Sequence, residues 1–465
     1  MNVRIVIEVD GRRVSEIVED IATLDALDLE ERVEQIKQRA GRAVLEPGLS
    51  AVGESCRRPC CCGRSMRNQG RRPVTVTSSS GDVTYDRVRY RCRECEEWQT
   101  PADAVICCGS QRVTKLLAKR VCQLATTEHF TRLEQLVADQ HDVHLAGETM
   151  WELVQHVGGA LEEKRLVEVA YRQEHPFTKE TLPQPVITPK RVYVSCDGIM
   201  YGTQETEPDL LHPGQRKQVW RQMRVGCVYW QDAKDRWHKQ MIWGQEADYQ
   251  SFGFALYELA VRHGYLQAEE KFFAADGADW CWAIQDRHFA DAEGILDWYH
   301  ATEHVWECAK ELHADPLKMK AWAEAAVSHL WEKGGTGLLA ELLSSRASPE
   351  APLPAPIQSL VNYVQPRLRW MDYPPHREQG HAIGTGLMEA TVKQLVAQRL
   401  KGPGRHWSEP GVLAITALRA TDLNGHWNSF WKTLTIKIGL TTNWRLHPVG
   451  GATSLPLGTA ILSGL

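Results

Sequence analysis

Arg191-Val-Tyr-Val-Ser-Cys-Asp-Gly198 reads as a β-strand that ends on an acid. Branched and aromatic residues at 192–194 favour extended backbone, and the Asp-Gly pair stops it. The same pattern returns at Lys271-Phe-Phe-Ala-Ala-Asp-Gly-Ala278. A third acid, Glu389, sits in Gly384-Thr-Gly-Leu-Met-Glu-Ala-Thr-Val-Lys-Gln394, which reads as the start of a helix. Asp197 and Asp276 at strand ends, joined by helical Glu389, can converge into an all-oxygen cage for hard divalent cations. In-line phosphodiester chemistry needs such a cage, with two ions about 4 Å apart. A glycine after each aspartate permits a sharp turn and close approach of a bulky backbone. Alone, an Asp-Gly pair is most often only a turn; it is the set of three that points to chemistry.

Outward from these acids the pattern is regular. Strands are expected over Val192–Cys196, Trp220–Trp230 and Trp237–Trp243, then a helix over Gln250–His263. The strand ending at Asp276 follows, then a helix over Trp280–Phe289 and the segment Ile295-Leu-Asp-Trp-Tyr-His300. Three strands, a helix, a strand and a helix is the order of an RNase H-like mixed sheet. From about Ala301 the chain is helical and rich in Trp, Ala and Leu, with a Pro-rich break at Ser348–Pro356. Because it lies between the second and third acids, this stretch reads as a helical insertion, at about 305–380, into a catalytic domain spanning 190–435. Asp297 and His300 would face the same way on a nascent helix, to contact DNA near a scissile phosphate or bind a cation weakly. The alternative is a helix cap and a buried histidine. Arg399, Lys401 and Arg405 surround a Gly-Pro-Gly segment that would touch a phosphate backbone or be a plain loop. Of the 17 tryptophans, most belong to the core; Trp306, Trp322 and Trp331 are candidates for stacking on an unpaired base.

Six of the 13 cysteines lie between Cys56 and Cys95. Cys92-Arg-Glu-Cys95 is a thiolate pair with metal-ligand spacing. Opposite it stand Cys56, Cys60, Cys61 and Cys62, separated from the pair by two β-like runs, Pro73–Thr77 and Val83–Tyr90. Two cysteine knuckles around a hairpin describe a zinc-ribbon-like module over 51–110, with Zn²⁺ in a thiolate tetrahedron. Pro59 occupies the place that would complete a Cys-x-x-Cys with Cys62, so Cys60 and Cys62 are favoured, with Cys56 and Cys61 as substitutes. Helices over Val113–Ala125, Phe130–Ala138 and from Leu145 follow the grammar of a helix-turn-helix domain at 111–175, with Lys115, Lys119 and Arg120 on the first. Residues 1–50 read as a strand, a turn at Asp10-Gly11 and an amphipathic helix around Leu27–Val44. Tyr171–Lys190 reads as a Pro-rich linker, and 436–465 as a tail without periodicity.

Length and composition frame these pieces. At 465 residues and 43% hydrophobic content, about two to four domains with real cores are expected. No apolar run reaches membrane-spanning length, and the N-terminus lacks a signal-peptide core. A cytoplasmic, nucleoid-associated bacterial protein without a membrane partner is the expectation. The net charge of −5 argues weakly against nucleic-acid binding, but its distribution argues for it. Between Ala51 and Ala125 there are 14 Lys and Arg against 7 Asp and Glu, an excess of 14 − 7 = 7 positive charges.

Taken together, Val194-Ser-Cys-Asp-Gly198, Ala275-Asp-Gly-Ala278, Ile295-Leu-Asp-Trp-Tyr-His300 and the Gly384–Gln394 segment resemble the bacterial insertion-sequence transposases with an Asp-Asp-Glu core. The similarity is greatest to the Kra-type insertion-sequence family, and Cys62-Gly-Arg-Ser-Met66 and Arg89-Tyr-Arg-Cys-Arg-Glu-Cys95 support it upstream. The resemblance covers about residues 55–435. It implies a multi-domain α+β protein with Asp197, Asp276 and Glu389 as ligands of two Mg²⁺ (or Mn²⁺) ions. Asp297 and His300 would match the Asp-x-x-His element of related transposases. The N-terminal domains would recognise double-stranded DNA at terminal inverted repeats, and homo-oligomers would form on that DNA. The implied activity is cleavage at element ends and strand transfer into target DNA. A nuclease or resolvase without joining, and an inert DNA-binding regulator, are the alternative functions.

Overall fold

The computed structural model describes residues 2–21, 25–56, 60, 62–109, 112–178, 180–185, 188–212, 214–232, 234, 236–245, 249–346, 351–436 and 446–448. They form two compact units, one built from residues up to Leu166 together with those from Ser408 onward, the other from Val167–Trp407.

The first unit starts with a hairpin, β1 (Asn2–Val9) and β2 (Arg12–Asp20), around Asp10 and Gly11, both at positive φ. Helix α1 (Ala26–Ser55) begins where the Asp25 carboxylate accepts the Asp28 N–H at 2.9 Å. The structure departs here from the sequence reading, which has one strand and a helix near Leu27–Val44. Ile7, Ile17 and Ile36 make a small core that pairs the second strand back onto the first. The helix continues past Pro47 because Leu49 and Val52 pack on the next core, formed by Val74, Val76, Tyr85, Ala102, Ile106 and Cys107. That core belongs to the hairpin β3 (Arg67–Ser78) and β4 (Gly81–Arg91). With β5 (Trp98–Gln99), α2 (Pro101–Ile106), β6 (Cys107–Cys108) and β7 (Val113–Thr114) it makes a sheet of order β5-β4-β3-β7-β6. Three helices follow: α3 (Lys115–Ala125), α4 (Phe130–His141) and α5 (Gly147–Glu174).

The second unit is organised by one mixed sheet. Its strands are β8 (Arg191–Pro208), β9 (Arg216–Gln231) and β10 (Trp237–Gln245), then, after α6 (Tyr249–Arg262), β11 (Glu270–Ala275) and, after α7 (Asp279–His288), β12 (Glu293–Leu296). The order is β10-β9-β8-β11-β12. The first three strands pair antiparallel, and β8, β11 and β12 run parallel. Val192, Val194, Phe272, Phe273 and Ile295 are buried at the centre; each such side chain contributes about 1.5–3 kcal/mol through burial.

Helices α8 (Trp298–Leu312), α9 (Pro316–Ser344), α10 (Ala355–Val364) and α11 (Tyr373–Glu378) then occupy the stretch between the second and third acids. A 3₁₀ turn over Gln365–Trp370 lies between α10 and α11 and lays Trp370 flat on Trp282, 3.8 Å between ring centroids. Trp298 packs edge-on against Trp331 and Tyr373. Helix α12 (Gly386–Val392) is continued by a π-helical turn, Lys393–Ala397, and by α13 (Gln398–Leu400).

The chain closes with α14 (Glu409–Leu423) and α15 (Trp427–Thr433), which cluster with the first unit. Gly158 of α5 meets the backbone of Ala414 with no room for a Cβ. The buried Arg419 guanidinium donates to the Thr126 carbonyl. The predicted tail lies mostly outside the described residues. No described helix is long and apolar enough to cross a membrane.

Candidate active site and metal centre

The parallel register brings the first two acids together. Ala275 pairs with Cys196 and also with Leu296. One residue further on, Asp276 and Asp297 follow the ends of β11 and β12 and stand beside Asp197; the stop expected at Asp197-Gly198 is absent, because β8 stays paired with β9 through Asp197↔Val225 and runs on to Pro208. Asp276 accepts the Ala278 N–H at 3.1 Å, and Asp197 accepts the Gly198 N–H at 2.6 Å. Both are half-buried. Helix α12 lies across the sheet face that carries Ser195 and Asp197. Met388 sulfur is 3.5 Å from Cys227, the partner of Ser195, and Lys239 on β10 donates to Gln394 at 2.9 Å. This docking places Glu389, next to Met388, beside the aspartates.

The electrostatics report the convergence. Burial, then the charge of Asp276, and more weakly that of Glu389, push the Asp197 carboxyl up to about 6; the Gly198 N–H and His300 pull the other way. None of the three acids has an ion-pair partner among the described residues.

Asp297 is used differently. Its side chain is 3% exposed. One oxygen caps α8 by accepting the His300 N–H at 2.7 Å, and the other accepts both the N–H and the hydroxyl of Thr385. His300 lies half-exposed one turn into α8 and edge-on to His304, whose ring sits 3.9 Å from that of Tyr363. Arg367 stacks on Tyr363 and donates through Nε and Nη2 to the Gly277 carbonyl, at 3.3 and 3.0 Å. Gly277 has φ of 102°, and a Cβ there would meet Leu296, Tyr363 and Arg367. The turn that carries Asp276 is thus held from the helical stretch. Thr385 was detectable in sequence as the residue that opens the Glu389 helix. Tyr363, Arg367 and His304 had no signal, because nothing local marks them.

In the first unit, Cys60, Cys62, Cys92 and Cys95 place their sulfurs within 4.8 Å of one another. Cys60 and Cys95 are 3.0 Å apart, and Cys62 and Cys92 3.5 Å. A tetrahedral zinc at about 2.3 Å from each sulfur needs sulfurs about 3.8 Å apart, so this group could hold such a metal. The backbone N–H groups of Cys95 and Glu94 point at the Cys92 sulfur and bring its thiol down to about 6, whereas Cys60, despite a lowering hydrogen bond from the Cys62 backbone, is pushed up by the Cys95 sulfur and by burial. Cys56 is outside this group, and Cys61 and Pro59 lie outside the described residues.

The basic candidates are mostly engaged within the chain. Lys119 donates to Asn428 at 2.6 Å, Lys115 to the Leu434 carbonyl at 3.5 Å, and Arg120 lies 3.3 Å from His141. Arg399 is buried against the Trp407 ring. Arg405 closes the end of α13 by donating to the carbonyls of Gln398, Arg399 and Lys401. Lys401 is exposed. Trp306 and Trp322 are half-buried, and Trp331 carries Arg377 over its ring at 3.5 Å.

No curated protein matches the chain. Among solved structures it is similar to the Drosophila P element transposase strand transfer complex, at 10% identity and a TM-score of 0.24, over 68% of this chain and 80% of that one. That likeness is too slight to assign fold or activity. The sequence model of the uncharacterised protein family UPF0236 matches residues 22–430, and the chain belongs to that family.

Proposed function

We propose that this protein is a DNA transposase of the Asp-Asp-Glu type, with an RNase H-like core interrupted by a helical insertion. One observation carries the reading: Asp197 and Asp276 stand on adjacent parallel strands, and Glu389 approaches from a helix docked on the same sheet. The strand order, three antiparallel strands extended by two parallel ones, supports the core assignment. The metal-ion pair such a site holds, Mg²⁺ or Mn²⁺, supplies activation of the attacking hydroxyl and stabilisation of the leaving oxyanion. Asp197, which feels both other carboxylates, would hold the ions together with Asp276 and Glu389. His300 would stand beside Asp197, facing the scissile phosphate. The cysteine group would hold a structural Zn²⁺ in a DNA-binding module, and α3–α5 would serve as the helix-turn-helix domain. Double-stranded DNA at the ends of a mobile element, synapsed by a homo-oligomer, is the substrate of this reading.

Incubation of the purified chain with its flanking genomic DNA and Mg²⁺ should yield end cleavage and strand-transfer products. Glu389→Gln should keep end binding and lose both. Full strand transfer by that variant would refute the assignment, and hydrolysis without joined products would favour a nuclease or resolvase.

A further inference from the structure

The half of the β3–β4 hairpin nearest the cysteine group carries a cluster of arginines on one face. Along β4, Val88, Tyr90 and Cys92 are buried. With a two-residue repeat, Arg87, Arg89 and Arg91 therefore point the other way. Register adds two more: Arg72 lies opposite Arg87, and Arg67 opposite Arg91. On the far side, β5 sets Trp98 opposite Arg91. Directly opposed residues share a face, so five arginines and one tryptophan form a single patch roughly 14 Å long by the strand rise.

The patch is organised rather than merely charged. Trp98 is half-exposed and lies beneath two guanidiniums, Arg89 at 4.3 Å and Arg91 at 5.6 Å from its ring. A guanidinium laid on an aromatic ring keeps its N–H edges free and loses little rotamer entropy on binding. Arg87 pairs with Asp103 at 2.7 Å and Arg91 with Glu96 at 3.0 Å. Among the described residues, Arg67, Arg72 and Arg89 have no carboxylate partner. The acids nearby are Glu94, Glu96 and Glu97 at the knuckle; Glu96 is held by Arg91, and Glu97 lies 3.7 Å from the Cys60 sulfur. Asp86 sits on the opposite face of the strand, by its register with Pro73.

We propose that this arginine face, with Trp98 as its platform, is the surface through which the protein grips the phosphate backbone of duplex DNA. The choice of duplex DNA rests on the transposase reading; the location does not. Forked guanidiniums match phosphate oxygens bidentately. Contacts of this kind are independent of sequence and fall steeply with salt. The side chains of Lys119 and Arg120 on α3 are by contrast tied to Asn428 and His141.

The test uses the full zinc-loaded chain and a short labelled DNA duplex of arbitrary sequence, with affinity measured across a salt series. R67Q/R72Q/R89Q should weaken binding at least about tenfold at physiological salt and reduce the slope of log K against log salt by about 2–3. The exposed single variant R72Q should lower that slope by about 1, and R67K/R72K/R89K should restore it. An unchanged cobalt–thiolate spectrum in each variant shows that the module is folded. An unaltered slope in the glutamine variants overturns the location. Tighter binding of an RNA duplex or an acidic peptide overturns the partner. If the arginines carry DNA binding but the wild-type protein never cleaves, the transposase reading fails and this surface stands. If cleavage occurs while the glutamine variants bind normally, only this proposal fails.

Discussion

Asp297 and Thr385, 88 residues apart in sequence, are joined by two hydrogen bonds from the N–H and hydroxyl of Thr385 to one carboxylate oxygen, the latter at 2.7 Å. The other oxygen caps α8, and the Glu389 N–H donates to the Thr385 carbonyl at 2.9 Å. One buried acid therefore pins both ends of the helical stretch, and the second end is the turn from which Glu389 projects.

Removing that acid should cost both stability and activity. Asp297→Ala deletes a helix cap and two charge-assisted bonds and leaves the Thr385 donors unsatisfied, a loss of about 3 kcal/mol. Asp297→Asn retains an acceptor for the cap, so it should lose about 1 kcal/mol. Its DNA cleavage should still fall, because the amide cannot accept both Thr385 donors. Chemical denaturation beside a cleavage assay checks this. Full activity in a destabilised Asp297→Asn variant would show that the bond to Thr385 does not position Glu389.

Asp197 should make the metal-free protein sensitive to pH. Its folded pKa, about 6, is raised above the ordinary aspartate range by burial first and Asp276 second. A raised carboxyl contributes stability that is complete below about pH 4 and lost as pH rises through about 6. At neutral pH the half-buried, ionised group costs at most about 2 kcal/mol after solvent screening. Asp197→Asn should remove this dependence and raise the Tm of the metal-free protein at pH 7. Added Mg²⁺ should raise the wild-type Tm more at pH 8 than at pH 5.5, since a proton on Asp197 competes with the cation. Identical pH curves for variant and wild type would contradict the cluster.

Zinc removal should act on the first unit. Cys60, Cys62, Cys92 and Cys95 should bind cobalt with a thiolate charge-transfer band, and chelation should lower the midpoint of one unfolding transition by several kcal/mol equivalent. Cys92→Ser should abolish the band and Cys56→Ser should leave it intact, because Cys56 is not in the group. The reverse pattern would redraw the ligand set.

Arg367 should act on Asp276 from the helical stretch. It grips the Gly277 carbonyl with two N–H groups, and Arg367→Met releases that turn. Cleavage rate should fall about 10- to 100-fold through misplacement of one carboxylate, with DNA affinity unchanged. Arg367→Lys, which lacks the fork, should recover only part of the rate. An equal loss of affinity and rate would instead indicate general unfolding.

The elements that announce themselves locally were readable in the chain. Runs such as Val192-Tyr-Val and Phe272-Phe are hydrophobic enough to demand a sheet interior. Cys92 and Cys95 carry metal spacing in four residues, and Gly384-Thr-Gly stops one element before the Glu389 helix begins. Residues that act through distant partners gave no such signal. Arg120 looks like an exposed basic residue on an amphipathic helix until His141 is found beside it. Arg405 looks like a phosphate contact until it is seen closing α13. The second N-terminal strand was missed because only the Ile7–Ile17–Ile36 core makes it pair.

By itself, then, the sequence determined where the central strands of the large sheet begin, which cysteines carry metal spacing and that β11 stops at Asp276-Gly277, since these depend on neighbours a few positions away. Only the tertiary structure decided that Asp297 is consumed as a clamp and which arginines are drawn into internal contacts. Those outcomes depend on partners tens to hundreds of residues distant, brought within hydrogen-bonding reach by burial of the surfaces between them.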